Sequence, residues 1–205
     1  MKTAKWTVVS GGVSCAKDSK KQLRLYMKKR RADNENRDMK EALLIENFFS
    51  LLSELFPKME GAGVRLNCFV YLSYSSEAPT DLLIESLKEA GHRVFAPRVE
   101  NGEMVAVEAL EDFTLSSFGI REPVGEPFEG ELDISITPLL AVDKTGTRLG
   151  YGGGYYDRFF EKHNGVKKIG YAFDFQVVDK VPSEPFDKRL DYTITDKRVI
   201  KHENK

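Results

Sequence analysis

Residues 134–158 read Ile-Ser-Ile-Thr-Pro-Leu-Leu-Ala-Val-Asp-Lys-Thr-Gly-Thr-Arg-Leu-Gly-Tyr-Gly-Gly-Gly-Tyr-Tyr-Asp-Arg. An apolar run at 134–142 precedes a glycine cluster, and a helix-like run at 155–163 follows it. Gly150, Gly152, Gly153 and Gly154 place four of the chain's 16 glycines within five positions. Such a cluster costs backbone entropy, so a folded chain keeps one where the backbone must do what side chains would prevent. A glycine loop that opens a helix exposes bare amides beside the positive end of the helix dipole, and that combination suits an anion.

Working outward, the same alternation recurs. The spacing predicts a helix over 19–31, with Leu23, Tyr26, Met27 and Arg30 on one face, and a second over 36–56 stopped by Pro57. The run 66–72 reads as a buried strand. Residues 76–79 form a turn, and Thr80 is expected to cap a helix that ends at Gly91. Short strands are expected at 93–96, closed by Pro97, and at 104–107 on an edge. The acidic stretch with Pro123 and Pro127 reads as irregular surface chain. Strands return at 132–136, 168–173 and 192–195. Strands alternating with helices imply an α/β layered fold with a mainly parallel central sheet, preceded by N-terminal helices. Residues 1–18 read as an N-terminal extension and 19–205 as a single domain.

Composition limits the function. The chain has 205 residues, 41% hydrophobic and 31% charged, with a formal net charge of -1. That describes a soluble protein with material for one core. Two cysteines, Cys15 and Cys68, and three scattered histidines make neither a disulfide framework nor a zinc site. A reduced, cytoplasmic setting is expected, with no membrane partner because no run is long enough to span a bilayer. A transit peptide at the start is left open. Charge is unevenly distributed: 17–40 holds ten Lys/Arg against four acids, and 100–133 holds one Arg against ten acids. The basic end invites a phosphate or nucleic-acid partner.

Two common phosphate loops are excluded by the letters. Gly154 is followed by Tyr155 and Tyr156 rather than Lys-Ser/Thr, and a dinucleotide fingerprint would need glycine at 155 or 157. Arg148 and Arg158 bracket the loop and could supply charge-assisted donors. Asp157 falls in the first turn of the helix, where it either complements the dipole or binds magnesium beside a substrate phosphate. Asp143-Lys-Thr-Gly146 fits a type I turn, with a role near the metal as the lesser reading of Asp143. Tyr155 and Tyr156 either stack on a planar ligand or pack the helix onto the sheet.

The segment from Pro138 to Arg158 resembles the signature of the 5-formyltetrahydrofolate cyclo-ligases. Three more segments match in order: Lys20-Lys-Gln-Leu-Arg24, Leu72-Ser-Tyr-Ser-Ser-Glu77-Ala-Pro-Thr80, and Val181-Pro-Ser-Glu-Pro-Phe-Asp187 with Leu190-Asp191 and Thr195. The resemblance implies an α/β/α sandwich related to ribose-phosphate isomerases and CoA transferases. It also implies ATP- and magnesium-dependent closure of 5-formyltetrahydrofolate to 5,10-methenyltetrahydrofolate by a monomer. Position by position, it implies nucleotide contacts at Lys20, Arg24, Arg148, Leu149, Gly150, Tyr151, Gly152, Gly153, Gly154, Tyr155 and Tyr156. Substrate contacts are implied at Leu72 and Glu77 and along Tyr151, Gly152, Gly153, Gly154 and Tyr155. Asp157 and Asp187 match magnesium ligands, and Arg148 and Tyr155 match the catalytic positions. Phe186 stands where many members carry His.

Without the resemblance, Lys20 and Arg24 read as a solvated basic face. A nucleic-acid-binding module built on the basic N-terminal helix is the rival reading. It leaves 150–157 without a purpose, so no nucleic-acid partner is expected.

Overall fold

The computed structural model describes residues 16–57, 64–116 and 119–203. Most of the expected extension therefore lies outside the described residues, and the first helix starts at Ala16. Helices α1 (Ala16–Ala32) and α2 (Arg37–Leu55) come first, followed by β1 (Asn67–Val70), α3 (Asp81–Glu89), β2 (Arg93–Glu100) and β3 (Glu103–Glu108). Then come β4 (Phe113–Leu115), β5 (Arg121–Pro123), β6 (Ile134–Thr137), β7 (Ala141–Val142), β8 (Arg148–Leu149) and α4 (Tyr155–Lys162). The chain closes with β9 (Lys167–Tyr171), β10 (Tyr192–Ile194) and β11 (Val199–Lys201).

Seven strands form one sheet in the order β11-β10-β9-β6-β1-β2-β3. The five inner strands run parallel, and the two outermost, β3 and β11, are antiparallel to their neighbours. Period-two alternation sends successive residues to opposite faces. Cys68 and Val70 of β1 join the core under α2 and α3, with Leu44, Phe48, Leu83 and Leu87. Phe69 faces the other way and stacks on Phe159 of α4, ring centroids 4.4 Å apart. Helices thus cover both faces, giving the expected three layers. No described helix is long and apolar enough to cross a membrane.

Several local expectations change. β2 does not stop at Pro97 but runs on to Glu100. Its pairing with β1 ends at Phe95, so the proline's missing N–H deprives no strand on that side. Opposite it, Ala106 gives its carbonyl to Phe128 N–H, so the Pro97–Ala106 pair exchanges no ladder bond. Thr80 does sit at the N-cap of α3, but its hydroxyl makes no cap bond. It donates instead to Tyr71 O at 2.7 Å and accepts Ser73 N–H at 3.1 Å, tying the helix start to the end of β1. The acidic stretch is not wholly irregular, because β4 and β5 pair as a small hairpin. The apolar run 134–142 is also divided. β6 ends at Thr137, and β7 folds back on β8 around the Asp143 turn.

That turn is built as expected, with Gly146 N–H donating to Asp143 O at 3.1 Å. The Asp143 carboxylate accepts from Thr145 N–H, the Thr145 hydroxyl and Val181 N–H. These bonds occupy its lone pairs, which decides for the structural reading of Asp143 over a role at a metal.

One glycine has a packing role. A Cβ on Gly170, in the middle of the sheet, would lie 2.7 Å from Leu190 Cδ1 and 2.8 Å from Leu139 Cδ2. Gly170→Ala is expected to destabilise the fold by about 1–3 kcal/mol, read from the urea midpoint at unchanged slope.

Candidate active site

A cavity of about 860 Å³ opens where the glycine loop meets α1, the end of β1 and the 184–187 segment. It collects residues from distant parts of the chain: Lys20 and Arg24, Leu72 and Glu77, the loop from Arg148 to Asp157, and Asp187. Arg158 is the exception, lying outside the lining. Its guanidinium turns to Gly153 O at 3.0 Å and Gly102 O at 3.4 Å.

Helix α1 supplies one wall through its periodicity. Leu23 and Met27 pack on the β7–β8 hairpin against Leu140, Ala141 and Leu149. The neighbouring row Lys20, Arg24, Lys28 faces the cavity. Lys20 is not a solvated charge of an exposed face, being only 6% exposed, and Arg24 is half-buried, whereas Lys28 is exposed. Its ammonium donates to Asp187 Oδ2 at 2.7 Å and to Glu184 Oε2 at 2.8 Å. Burial works against that charge, but the two carboxylate bonds hold the ammonium above its ordinary value. Arg24 Nε donates to Gly150 O at 2.9 Å and so fixes the start of the loop.

The loop keeps its glycines for two physical reasons. Gly152 and Gly154 have φ of 106° and 67°, which side-chain-bearing residues rarely adopt. Gly153 has ordinary φ, but a Cβ there would lie 2.8 Å from the Tyr155 ring. No amide of residues 151–154 makes a backbone hydrogen bond among the described residues. The Tyr156 hydroxyl is buried in the cavity wall, also without a partner among them. Burial pushes that phenol up, so it stays a protonated donor. An orphaned buried hydroxyl costs about 1–3 kcal/mol, which a bound acceptor would recover. As for the two open readings of the tyrosines, Tyr156 packs near Phe69 and Phe160, while Tyr155 lines the cavity beneath the Arg158 guanidinium.

Arg148, on β8, reaches the floor. It donates to Lys188 O at 2.9 Å and to Asp157 Oδ1 at 3.0 Å, with its guanidinium over the Phe160 ring. Burial pulls its pKa below the ordinary value, against the opposing field of Asp157. Asp157 also accepts Lys188 N–H at 2.9 Å. Glu77 accepts Tyr74 N–H at 3.0 Å. Burial nevertheless raises its carboxyl above the usual range.

That shift has a testable sign. A carboxyl with a raised folded pKa loses stability as pH climbs from its unfolded value of 4.5 through the folded one. Glu77→Gln is therefore expected to melt higher than wild type at pH 7, with the gap closing below pH 4.5. A gap independent of pH would contradict this.

Four cations and five carboxylates line the cavity, and several neutralise one another directly. No group of three or more His, Cys, Asp or Glu able to hold a metal is found among the described residues. Among the described residues, no cysteine or histidine lines the cavity. Cys68 is buried in the core with its thiol pushed up by burial. Sequence reasoning missed Lys28 and Glu184, and also the apolar rim of Tyr74, Val99, Met104 and Ile120. The spacing of Lys20, Arg24 and Lys28 could have flagged the first. The rim comes from elements that only the fold brings together.

Comparison with known proteins gives concordant findings. The model of the 5-formyltetrahydrofolate cyclo-ligase family matches residues 16–196. A 5-formyltetrahydrofolate cyclo-ligase of Escherichia coli (strain K12) is 36% identical over 141 residues, covering 63% of this chain and 78% of that protein. One from Mycolicibacterium smegmatis is 33% identical over 142 residues, covering 63% and 73%. The NMR structure of Aquifex aeolicus 5,10-methenyltetrahydrofolate synthetase is similar at a TM-score of 0.74 and 27% identity, covering 91% of this chain and 94% of that one.

Proposed function

Because the chain belongs to the 5-formyltetrahydrofolate cyclo-ligase family and is a ligase of that kind, we propose that it closes 5-formyltetrahydrofolate to 5,10-methenyltetrahydrofolate, with ATP as phosphoryl donor and magnesium as its counter-ion. The observation that carries this reading is the convergence of Lys20, Arg24, Glu77, Asp157 and Asp187 with the glycine loop on one cavity. The unbonded loop amides and the orphaned Tyr156 hydroxyl fit a polyphosphate. The apolar rim of Tyr74, Val99, Met104 and Ile120 fits a flat pterin and its aryl tail.

In this reading the formyl oxygen takes the γ-phosphoryl group and ADP departs. N10 then attacks the activated carbon and loses its proton to solvent, and phosphate leaves carrying the formyl oxygen. Little covalent help is required, so the residues position groups and neutralise charge. Lys20, Arg24 and Arg148 hold phosphate oxygens, and Arg148 and Tyr155 bracket the transferring group. Leu72 and Glu77 hold the folate.

Asp157 and Asp187 are the carboxylates that would hold magnesium, which would supply charge neutralisation for the substrate phosphates. Two carboxylates with phosphates are an ordinary set for that ion, so the lack of a three-ligand cluster among the described residues is no obstacle. With Asp187 and Glu184 both on Lys20, a bare polyphosphate would meet carboxylates first, which favours the cation complex.

Formyl-¹⁸O substrate tests the chemistry. The label is expected in inorganic phosphate, in step with the methenyl chromophore. Product formed with the label left in water would exclude phosphoryl transfer to the formyl oxygen.

A further inference from the structure

Arg31 stands where the sequence pattern calls for an apolar side chain. Leu23, Met27 and Arg31 form one i, i+4 row of α1, and the first two are core residues. Arg31 is as buried as they are, at 3% exposure, yet forms no salt bridge among those described. Its guanidinium forks to three separate segments: Nε donates to Ser76 Oγ at 3.1 Å, Nη1 to Leu139 O at 3.3 Å, and Nη2 to the Tyr151 hydroxyl. A buried guanidinium facing neutral acceptors is a poor device for stability, since its desolvation is only partly offset.

Tyr151 needs such an anchor. It lies between Gly150 and Gly152 at the tip of the loop, and the residue is 48% exposed. Packing alone does not fix it. Arginine can only donate, so the phenol oxygen accepts from Arg31 and keeps its own O–H as a donor. Glu77, which accepts Tyr74 N–H at 3.0 Å, lines the same cavity.

We infer that Arg31 is a positioning residue which, through the Tyr151 hydroxyl, holds Tyr151 in place against the folate. This rests on the function proposed above. Arg31 does not line the cavity, and of its three hydrogen-bond partners Tyr151 is the one that does, so its effect on substrate passes through that side chain.

The test is equilibrium binding of 5-formyltetrahydrofolate and, separately, of magnesium-ATP to wild type, Arg31→Met, Arg31→Lys, Tyr151→Phe, Ser76→Ala and the Arg31→Met/Tyr151→Phe double variant. Arg31→Met and Tyr151→Phe are each expected to weaken folate roughly tenfold or more, with magnesium-ATP affinity changed less than about twofold in Arg31→Met. The double variant should be no weaker than the worse single one, because both changes break the same hydrogen bond. Ser76→Ala should leave folate affinity unchanged.

Multiplying losses in the double variant, or folate and nucleotide affinities falling together, would overturn the inference and mark Arg31 as merely structural. If Arg31→Met does not fold, Arg31→Lys and Tyr151→Phe decide alone. Lysine keeps the charge but cannot fork, so wild-type folate affinity in Arg31→Lys would also overturn it. Wild type that binds magnesium-ATP but no folate would instead overturn the function on which the inference rests.

Discussion

Arg148→Met is expected to lower the cyclisation rate roughly 10³-fold while leaving a folded protein. The guanidinium is buried at the cavity floor, one nitrogen on Asp157 and another on the Lys188 carbonyl. In the proposed reaction it would meet charge developing on the transferring phosphoryl group without reorganisation, in a water-poor setting where such an interaction is strong. Asp157 retains the Lys188 N–H after the change, and methionine can pack against Phe160, so the loss should lie in turnover rather than folding. Arg148→Lys should recover only part of the rate, because an ammonium cannot reach phosphate, Asp157 and the Lys188 carbonyl together. Single-turnover rates beside melting curves separate the effects. A full-rate Arg148→Met would remove this residue from the chemistry.

The second large effect concerns the carboxylates and has two opposite signs. Asp157→Asn and Asp187→Asn are each expected to raise the magnesium needed for half-maximal rate roughly 10- to 100-fold. Asp187→Asn should also do something that Asp157→Asn does not. Lys20 is shared between Asp187 and Glu184, so removing one competitor frees its ammonium for phosphate. Metal-free ATP should therefore bind Asp187→Asn at least as tightly as wild type, while magnesium-ATP binds it more weakly. Asp157 is held by Arg148 instead, and its replacement leaves Lys20 paired. Calorimetric titrations with and without magnesium read both signs. Equal weakening of both nucleotide forms in Asp187→Asn would contradict the proposed exchange of partners.

Periodicity made the core of this architecture readable. β1 and β6 are short apolar runs between turns, α2 has its Leu and Phe residues at helical spacing, and the glycine cluster announces its own helix. What was not legible depends on neighbours. Pro97 does not end β2, because β1 has already stopped beside it. The Thr80 hydroxyl left its cap for the end of β1, a choice made by tertiary structure. β4 and β5 are three-residue strands that, among the described residues, pair with each other, too short for a period to register. In the cavity, the glycine loop was evident from its letters, whereas Lys20, Arg24, Glu77 and Asp187 acquired meaning only through family resemblance. Glu184 and Arg31 escaped both routes. An acid in a proline-rich loop looks like surface, and an arginine beside Arg30 looks like one more solvated charge until its row is traced back through Met27 and Leu23.

The most direct test of the central claim is the appearance of the methenyl chromophore when purified protein is mixed with 5-formyltetrahydrofolate, ATP and magnesium, with ADP measured alongside. One ADP for each methenyl product is expected, with no product when any one of the three is omitted. Well-folded protein that forms no chromophore, or forms it without ATP, would contradict the assignment of this cavity as the place where nucleotide and formyl-folate meet.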